Sequence, residues 1–461
     1  MNRVQLFPDD VRLFRREHLV RRNTPMEQVG EYFDPKMNVV HPSGYVFTQP
    51  DGTFRLLYSG TIPGGKERLH YLTAVSEDGL RFRPDNEAAA RAGIADAAAP
   101  NQFIPDLPPS SEVHSVIADP DARPDARYKM LVCRFVPEKL TLHDLVWISP
   151  DLIHWTELTA VRWHARGTEP VGSTLYDPEE RRFLIFTRPD WGDRRIALVQ
   201  TRDWETFTAP RLVMAPDSQD APMAEHYGMY AFGCGQNKLG LLMVYQPSDH
   251  TTLRYKFDGG PVRCELVYSE DGEFWRRTLR VPFVGEENAM FWPASSYVRN
   301  GYFYLCGTAA QVEHGNFCPD HICSSVKIYR TREQRFLSLA VESGAAFGCL
   351  ATRQCVLHGG DIRWNLRAKN ATCAVYEVTR ERTEVLRSHE DCVPFCGDAL
   401  DWTPEWRGHF GWEDLRDRPL VFELRMDSGE VWSVSGDFTG LGTTEGFRYE
   451  QFRTLPTRRG F

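Results

Sequence analysis

The sequence predicts an all-β protein, a five-bladed β-propeller followed by a C-terminal β-sandwich. Three observations predict it. One strand–turn–aromatic pattern recurs along the first three-quarters of the chain, helical periodicity is nearly absent, and the repeat stops near residue 338 while strand-like segments continue. Self-similarity at this spacing marks repeat architectures, and radial repetition of small sheets hides most of their edges.

The repeat is clearest at four turns. Ser76-Glu77-Asp78-Gly79 is followed by Phe82, and Ser149-Pro150-Asp151 by Trp155. Thr201-Arg202-Asp203 is followed by Phe207, and Ser269-Glu270-Asp271-Gly272 by Trp275. Asp accepts tight turn geometry, Ser or Thr bonds the local backbone, and the aromatic anchors the outgoing strand. An apolar strand precedes each turn: LTAV, LVWI, IALVQ and ELVY. Two further strands open each unit, such as GYVFTQ and FRLLY in the first and VGSTLYD and FLIFT in the third. A fifth unit runs from Trp292 through YFYLCG and closes with VKIYR (326–330) and Phe336. The stretch NEAAARAGIADAAA (86–99) reads as a helical insert.

The propeller is expected over 1–337, with an N-terminal extension over 1–40, and the sandwich with its tail over 338–461. Segments such as DIRWNLRA, TCAVYEVT and LVFELRM carry the sandwich expectation. The tail after Phe438 is polar and Gly-rich and reads as surface chain.

Composition narrows function. At 461 residues, with 42% hydrophobic and 25% charged residues, the chain has the balance of a multidomain protein with real cores. A net charge of −9 without a basic tract argues against nucleic acid and anionic membranes as partners. No apolar run is long enough to span a bilayer. The N-terminal segment carries acids and arginines where a signal peptide needs an apolar core. The 11 Cys are odd in number, and Cys133, Cys306 and Cys373 sit in apolar runs, which suits buried thiols in a reducing, cytoplasmic setting. Self-association is left open.

Five such units, S-x-D-x-x-x-W turns and a C-terminal β-sandwich together resemble the glycoside hydrolases of families 32 and 43, the invertase, fructanase, arabinanase and xylosidase types. Phe33-Asp34-Pro35-Lys36-Met37-Asn38 echoes the invertase-type Asn-Asp-Pro-Asn-Gly opening, while the Arg-Asp-Pro and Glu-Cys motifs are absent. The resemblance implies a carbohydrate substrate and hydrolysis of a glycosidic bond in the propeller funnel, without a cofactor.

In a propeller the starts of the innermost strands converge at the channel mouth. Read unit by unit, these positions hold His41-Pro42-Ser43 with Asp34 shortly before, Glu112-Val113-His114, Thr168-Glu169-Pro170, Glu225-His226-Tyr227 and Phe291-Trp292-Pro293. Carboxylates crowded at one locus supply both an acid and a base, because like charges push one pKa up and leave the other group ionised. The resemblance implies Glu169 as general acid, Asp34 as the blade-one base or nucleophile, and Glu112 as their modulator, although the family has Asp there. Glu225 has no counterpart and stands as an equal candidate. His114 and His226 are expected to contact substrate hydroxyls, and Trp292 to stack on a sugar ring. Arg188 and His314 are expected at the mouth. For each residue alone, a solvated loop position, a core histidine or inter-blade packing is the competing reading.

The spacings Cys318-Pro-Asp-His321-Ile-Cys323 and Cys392-x3-Cys396 are looser than zinc sites use, so no metal is expected. Competing functions are a non-catalytic sugar-binding propeller and a glycoside phosphorylase. The phosphorylase needs a cationic phosphate pocket, for which Arg188, Arg194 and Arg195 are the clustered candidates. A sialidase-like reading is disfavoured because no arginine triad is visible.

Overall fold

The computed structural model describes residues 3–63, 68–107, 111–136, 141–159, 161, 168–189, 191–247, 259–314, 321–409 and 411–455; for 135, 136, 141–143 and 168–172 it describes the backbone alone. The chain is nearly all β. It divides into two compact units, one of residues 26–233 and 239–331, the other of 1–25, 234–238 and 332–461.

In the larger unit the strands fall into successive sets of four, with Gln102–Ile104 added to the first set and a single parallel pairing of Val262 with Met290 joining the fourth and fifth into one eight-stranded sheet. The first set is Asn38–Thr48, Phe54–Thr61, His70–Ser76 and Arg83–Pro84; the second is Ser111–Ala118, Tyr128–Val136, Thr141–Ser149 and Thr156–Glu157. The third is Thr168–Asp177, Arg182–Pro189, Ile196–Thr201 and Arg211–Met214; the fourth is Glu225–Cys234, Asn237–Tyr245, Val262–Ser269 and Arg276–Val284. The fifth begins with Met290–Arg299, Tyr302–Ala310 and Ser324–Arg332. Its last member is Glu27–Tyr32, which pairs antiparallel with the Ser324 strand, Tyr32 opposite Val326. The expected closure by Phe336 is thereby corrected: the closing strand comes from the N-terminus, and Phe336 lies in the other unit.

The four Asp turns share one hydrogen-bond pattern. In the first, Asp78 Oδ1 accepts from the amides of Leu80 and Arg81, and Ser76 Oγ accepts from Gly79. Asp151, Asp203 and Asp271 repeat it with the two amides that follow by the same offsets. The residue after each Asp has a positive φ: Gly79 at 79°, Leu152 at 69°, Trp204 at 63° and Gly272 at 78°. Two units fill this left-handed position with glycine. The other two bury a large apolar side chain there instead, Leu152 and Trp204.

The first strand of each set, its lead strand, contacts the next by side-chain bonds. Tyr45 donates to His114 O (2.9 Å), and Ser115 Oγ meets Thr174 Oγ1 (3.0 Å). Ser173 Oγ donates to Met229 O (3.1 Å) and accepts from Ala231 N (2.7 Å). Tyr230 donates to Ser296 Oγ (2.8 Å), and Ser295 Oγ donates to Gly44 O (2.6 Å) while accepting from Val46 N (2.9 Å). Followed in order, these bonds pass through all five lead strands and return to the first. Serine suits this position because one hydroxyl satisfies both a donor and an acceptor of a neighbouring backbone.

In the smaller unit a ten-stranded sheet is organised by one long strand, Cys355–Val378. Its first part pairs with Ser428–Gly440 and Phe395–Trp402, and its second part with Pro419–Met426 and Thr383–Arg387. Asn370, in the left-handed region at 53°, sits where the partners change. Trp364, Leu366, Val375, Leu424 and Val434 from both arms share one core. The N-terminal strands Arg3–Leu6, Leu13–Glu17 and Leu19–Asn23 pair into the same sheet.

Helix is scarce, as predicted. The insert at 86–99 yields only a short helix, Ala88–Arg91. The tail after Phe438 is not all irregular chain: Thr443–Phe452 is helical, with Glu445 accepting from Gly442 N (2.6 Å) and Tyr449 buried against Val356 and Leu441. No helix among the described residues is long and apolar enough to cross a membrane.

Candidate functional site

Strand irregularity aims the site. In the Asn38 strand the register slips between Val40 and Tyr45, and in the Ser111 strand between Val113 and Ser115. It slips again between Glu169 and Ser173, and between Pro293 and Ser295. Each slip is a bulge near the beginning of a lead strand, and bulges re-aim side chains that regular alternation would bury or expose. His41 and His114 lie within two of them.

The side chains delivered there form a packed group. His41 stacks on Trp292 with centroids 3.8 Å apart and planes 16° apart. Tyr227 meets both rings edge-on, at 5.2 Å from Trp292 and 6.4 Å from His41. His314 Nε2 lies 3.0 Å from the Tyr227 hydroxyl. Two guanidiniums flank the Tyr227 ring, Arg188 at 4.6 Å and Arg194 at 5.0 Å from its centroid. Arg188 also donates to Tyr227 O (3.2 Å), and Arg194 is ion-paired with Glu225. A close backbone approach seats the stack: a Cβ on Gly307 would collide with Trp292 O, and one on Gly44 would lie 3.0 Å from the Gly307 backbone.

His114 joins this group from the second set. Its Nε2 is 3.7 Å from Glu112, whose side chain is 45% exposed. His41 feels His314, Arg188 and His114 electrostatically. Burial first, and then these three neighbours, drive its imidazole down to about 3, so it is neutral at ordinary pH.

The candidates therefore separate. His114, Glu112, Arg188, Glu225, Trp292 and His314 come together, with His41, Tyr227 and Arg194 added. Trp292 is only 1% exposed and one face lies under His41, so the expected sugar-stacking face is covered, because the bulge swings His41 across it. Asp34 is drawn elsewhere: buried, it accepts from the Tyr58 hydroxyl (2.6 Å) and from Lys36 N (2.9 Å), and Tyr58 in turn meets Tyr32 and Asn101. His226 turns away from its neighbours Glu225 and Tyr227. It is 0% exposed, its ring nitrogens have no hydrogen-bond partner among the described residues, and Asp220 lies 4.0 Å from Nε2. Asp220 itself is held by Arg277 (2.5 Å), which also pairs with Glu265 (2.7 Å). His226 thus sits beside the buried Asp220–Arg277–Glu265 ionic cluster. The backbone of Glu169 pairs with Arg188, and its side chain lies outside the described part of the structure. Arg195 pairs with Asp193 rather than with the group.

Among the described residues no cluster of His, Cys, Asp and Glu is arranged to hold a metal ion. Cys318 lies outside the described residues; Cys392 is buried in the core of the smaller unit and Cys396 is exposed.

The chain resembles solved glycoside hydrolases and a glycoside phosphorylase. A β-1,2-mannobiose phosphorylase from Listeria innocua, in complex with β-1,2-mannobiose, shares 10% identity over 66% of this chain and 96% of its own, with a TM-score of 0.42. A family GH32 β-fructofuranosidase from Bombyx mori shares 10% identity over 90% of this chain and 94% of its own, at 0.43. The RS223 β-xylosidase shares 10% identity over 64% and 93%, at 0.41. No protein-family model and no curated protein matches the chain.

Chemically, the group combines neutral imidazole, carboxylate, guanidinium and tyrosine hydroxyl around apolar rings. In general, rings can cover C–H faces of a ligand while fixed polar groups bond its hydroxyls.

Proposed function

We propose that the larger unit is a five-bladed β-propeller carrying a carbohydrate-active site at the mouth formed by the starts of its lead strands, and that the smaller unit is a β-sandwich. The five four-stranded sets and the closed succession of lead-strand hydrogen bonds support the propeller. The two arms sharing one core around Cys355–Val378 support the sandwich.

The reaction we assign is hydrolysis of a glycosidic bond in an oligo- or polysaccharide. The carrying observation is the convergence of Glu225 with Arg194, Glu112 with His114, and the His41–Trp292–Tyr227–His314 rings. Glycoside hydrolysis needs one carboxyl to protonate the leaving oxygen and another to attack or to activate water. Glu169, Glu225 and Glu112 are the carboxyls we assign to these tasks, with Glu169 as acid. Asp34 is left out because Tyr58 and the Lys36 amide take its carboxylate. Arg188, His114 and His314 orient the substrate. Replacing Glu169 or Glu225 by Gln should lower turnover of a responsive oligosaccharide by about 10²–10⁴-fold while the fold persists. Near-wild-type rates in both variants would remove the assignment.

One observation favours a second reading. Arg188 and Arg194 both lie on the Tyr227 ring, a suitable place for inorganic phosphate, so the same carboxyls could serve a glycoside phosphorylase. Running the reaction with and without phosphate separates the two: sugar phosphate as product selects the phosphorylase. Binding without turnover in either medium selects a non-catalytic sugar-binding propeller.

A further inference from the structure

We propose that His41 is the group that faces the substrate in this site, an imidazole held rigid on Trp292 so that it donates one hydrogen bond and accepts another from hydroxyls of a sugar ring. The inference rests on the carbohydrate reading above and assigns a specificity-determining residue to it.

Three independent features carry it. The first is position: His41 lies in the widest of the bulges, where residues 41–44 stand against the single step from Leu57 to Ser59 across the strand pair. A residue there is freed from alternation and points where the bulge sends it. The second is enclosure. Trp292 beneath it and His114 and His314 around it are all buried, while His41 is only half-buried. Of the stacked pair, His41 is thus the less buried residue, and the stack fixes the plane of its ring. The third is charge. Arg188, His114 and His314 all act on it in the same sense, against a proton, and Glu225, a described carboxylate of the group, is ion-paired with Arg194.

A neutral imidazole carries one donor and one acceptor, whereas an imidazolium only donates. Hydroxyls both give and receive, so the neutral ring fits an uncharged sugar and offers nothing special to an anion. This is a positioning contact, with no proton transferred.

The test compares wild-type protein with His41→Phe, which keeps a stacking ring and removes both nitrogens, and with His41→Asn, which keeps a donor and an acceptor. An oligosaccharide panel first establishes a substrate for the wild type; absence of both binding and turnover there refutes the carbohydrate reading, and this proposal with it. With a substrate in hand, His41→Phe should weaken binding or raise KM about 10–100-fold at unchanged thermal stability, and His41→Asn should recover part of the loss. Wild-type KM and kcat in a folded His41→Phe protein would overturn the proposal and leave the carbohydrate reading standing. If His41→Phe fails to fold, NMR titration of the wild-type imidazole decides: a signal unchanged from pH 7 to 5 but shifted by the sugar supports it, and a signal indifferent to the sugar overturns it.

Discussion

At the scale of single residues, the Asp turns show how little sequence is needed to build a repeated element. One carboxylate accepts two successive amides, and one hydroxyl accepts a third. Burial works against the Asp203 charge, but the amides of Thr206 and Glu205 and the Thr201 hydroxyl outweigh it and hold the carboxyl below its ordinary value. Asp203→Ala leaves those amides without their partner. Hydrogen bonds to a charged acceptor contribute about 1.5–3 kcal/mol each, partly replaced by water at this exposed turn. Urea unfolding should show a loss of about 2 kcal/mol; an unchanged midpoint would mean that the turn contributes nothing. These turns were legible because their chemistry is local. His41 was not singled out as a site residue, since its importance comes from a bulge and from Trp292, far away in sequence. The covering of Trp292 was illegible for the same reason.

Elements add constraints that no single motif announces. Gly307 lets the Tyr302 strand approach Trp292 and Pro293 so closely that any side chain there must push the strands apart. Gly307→Ala should destabilise the protein by about 1–3 kcal/mol, as overpacking does, and shift the tryptophan emission by moving Trp292. Unchanged stability and emission would contradict the close approach. The fifth set depends on Glu27–Tyr32 pairing with Ser324–Arg332. Strand periodicity gives no sign of a partner so distant in sequence, which is why residues 1–40 read only as an extension. By contrast, the lead strands and their partners carried clear apolar runs, and their order could be read directly. The helix Thr443–Phe452 was missed because its apolar face is small, Tyr449 with little else, while its capping acid Glu445 is a weak signal alone.

Over the whole molecule, the buried imidazole of His226 and the half-buried one of His41 shape the acid side of the stability profile. Burial first, then the charge of Arg277, takes His226 down to about 4 despite the opposing pull of Asp220 and Asp217; Arg280 adds to the repulsion. His41 is lower still, at about 3. Both have an ordinary value of 6.5. The unfolded chain thus binds protons at both sites below that pH and the folded chain does not. Their contribution is complete above pH 6.5 and is lost as pH falls toward 4, by about 1.4 kcal/mol per unit for each group. The depressed turn aspartates act in a lower window, below their ordinary 3.8. Unfolding free energy should therefore decline already between about pH 6 and 5, and His226→Leu should shallow that slope. A flat profile over that range would show that these imidazoles titrate normally.

The most direct measurement is a crystal structure of the Glu225→Gln protein with a bound oligosaccharide substrate. The sugar is expected at the starts of the lead strands, with its hydroxyls within hydrogen-bonding distance of His41 and with Glu169 or the substituted side chain beside the glycosidic oxygen. A sugar bound elsewhere on the chain, with this group untouched, would contradict the account.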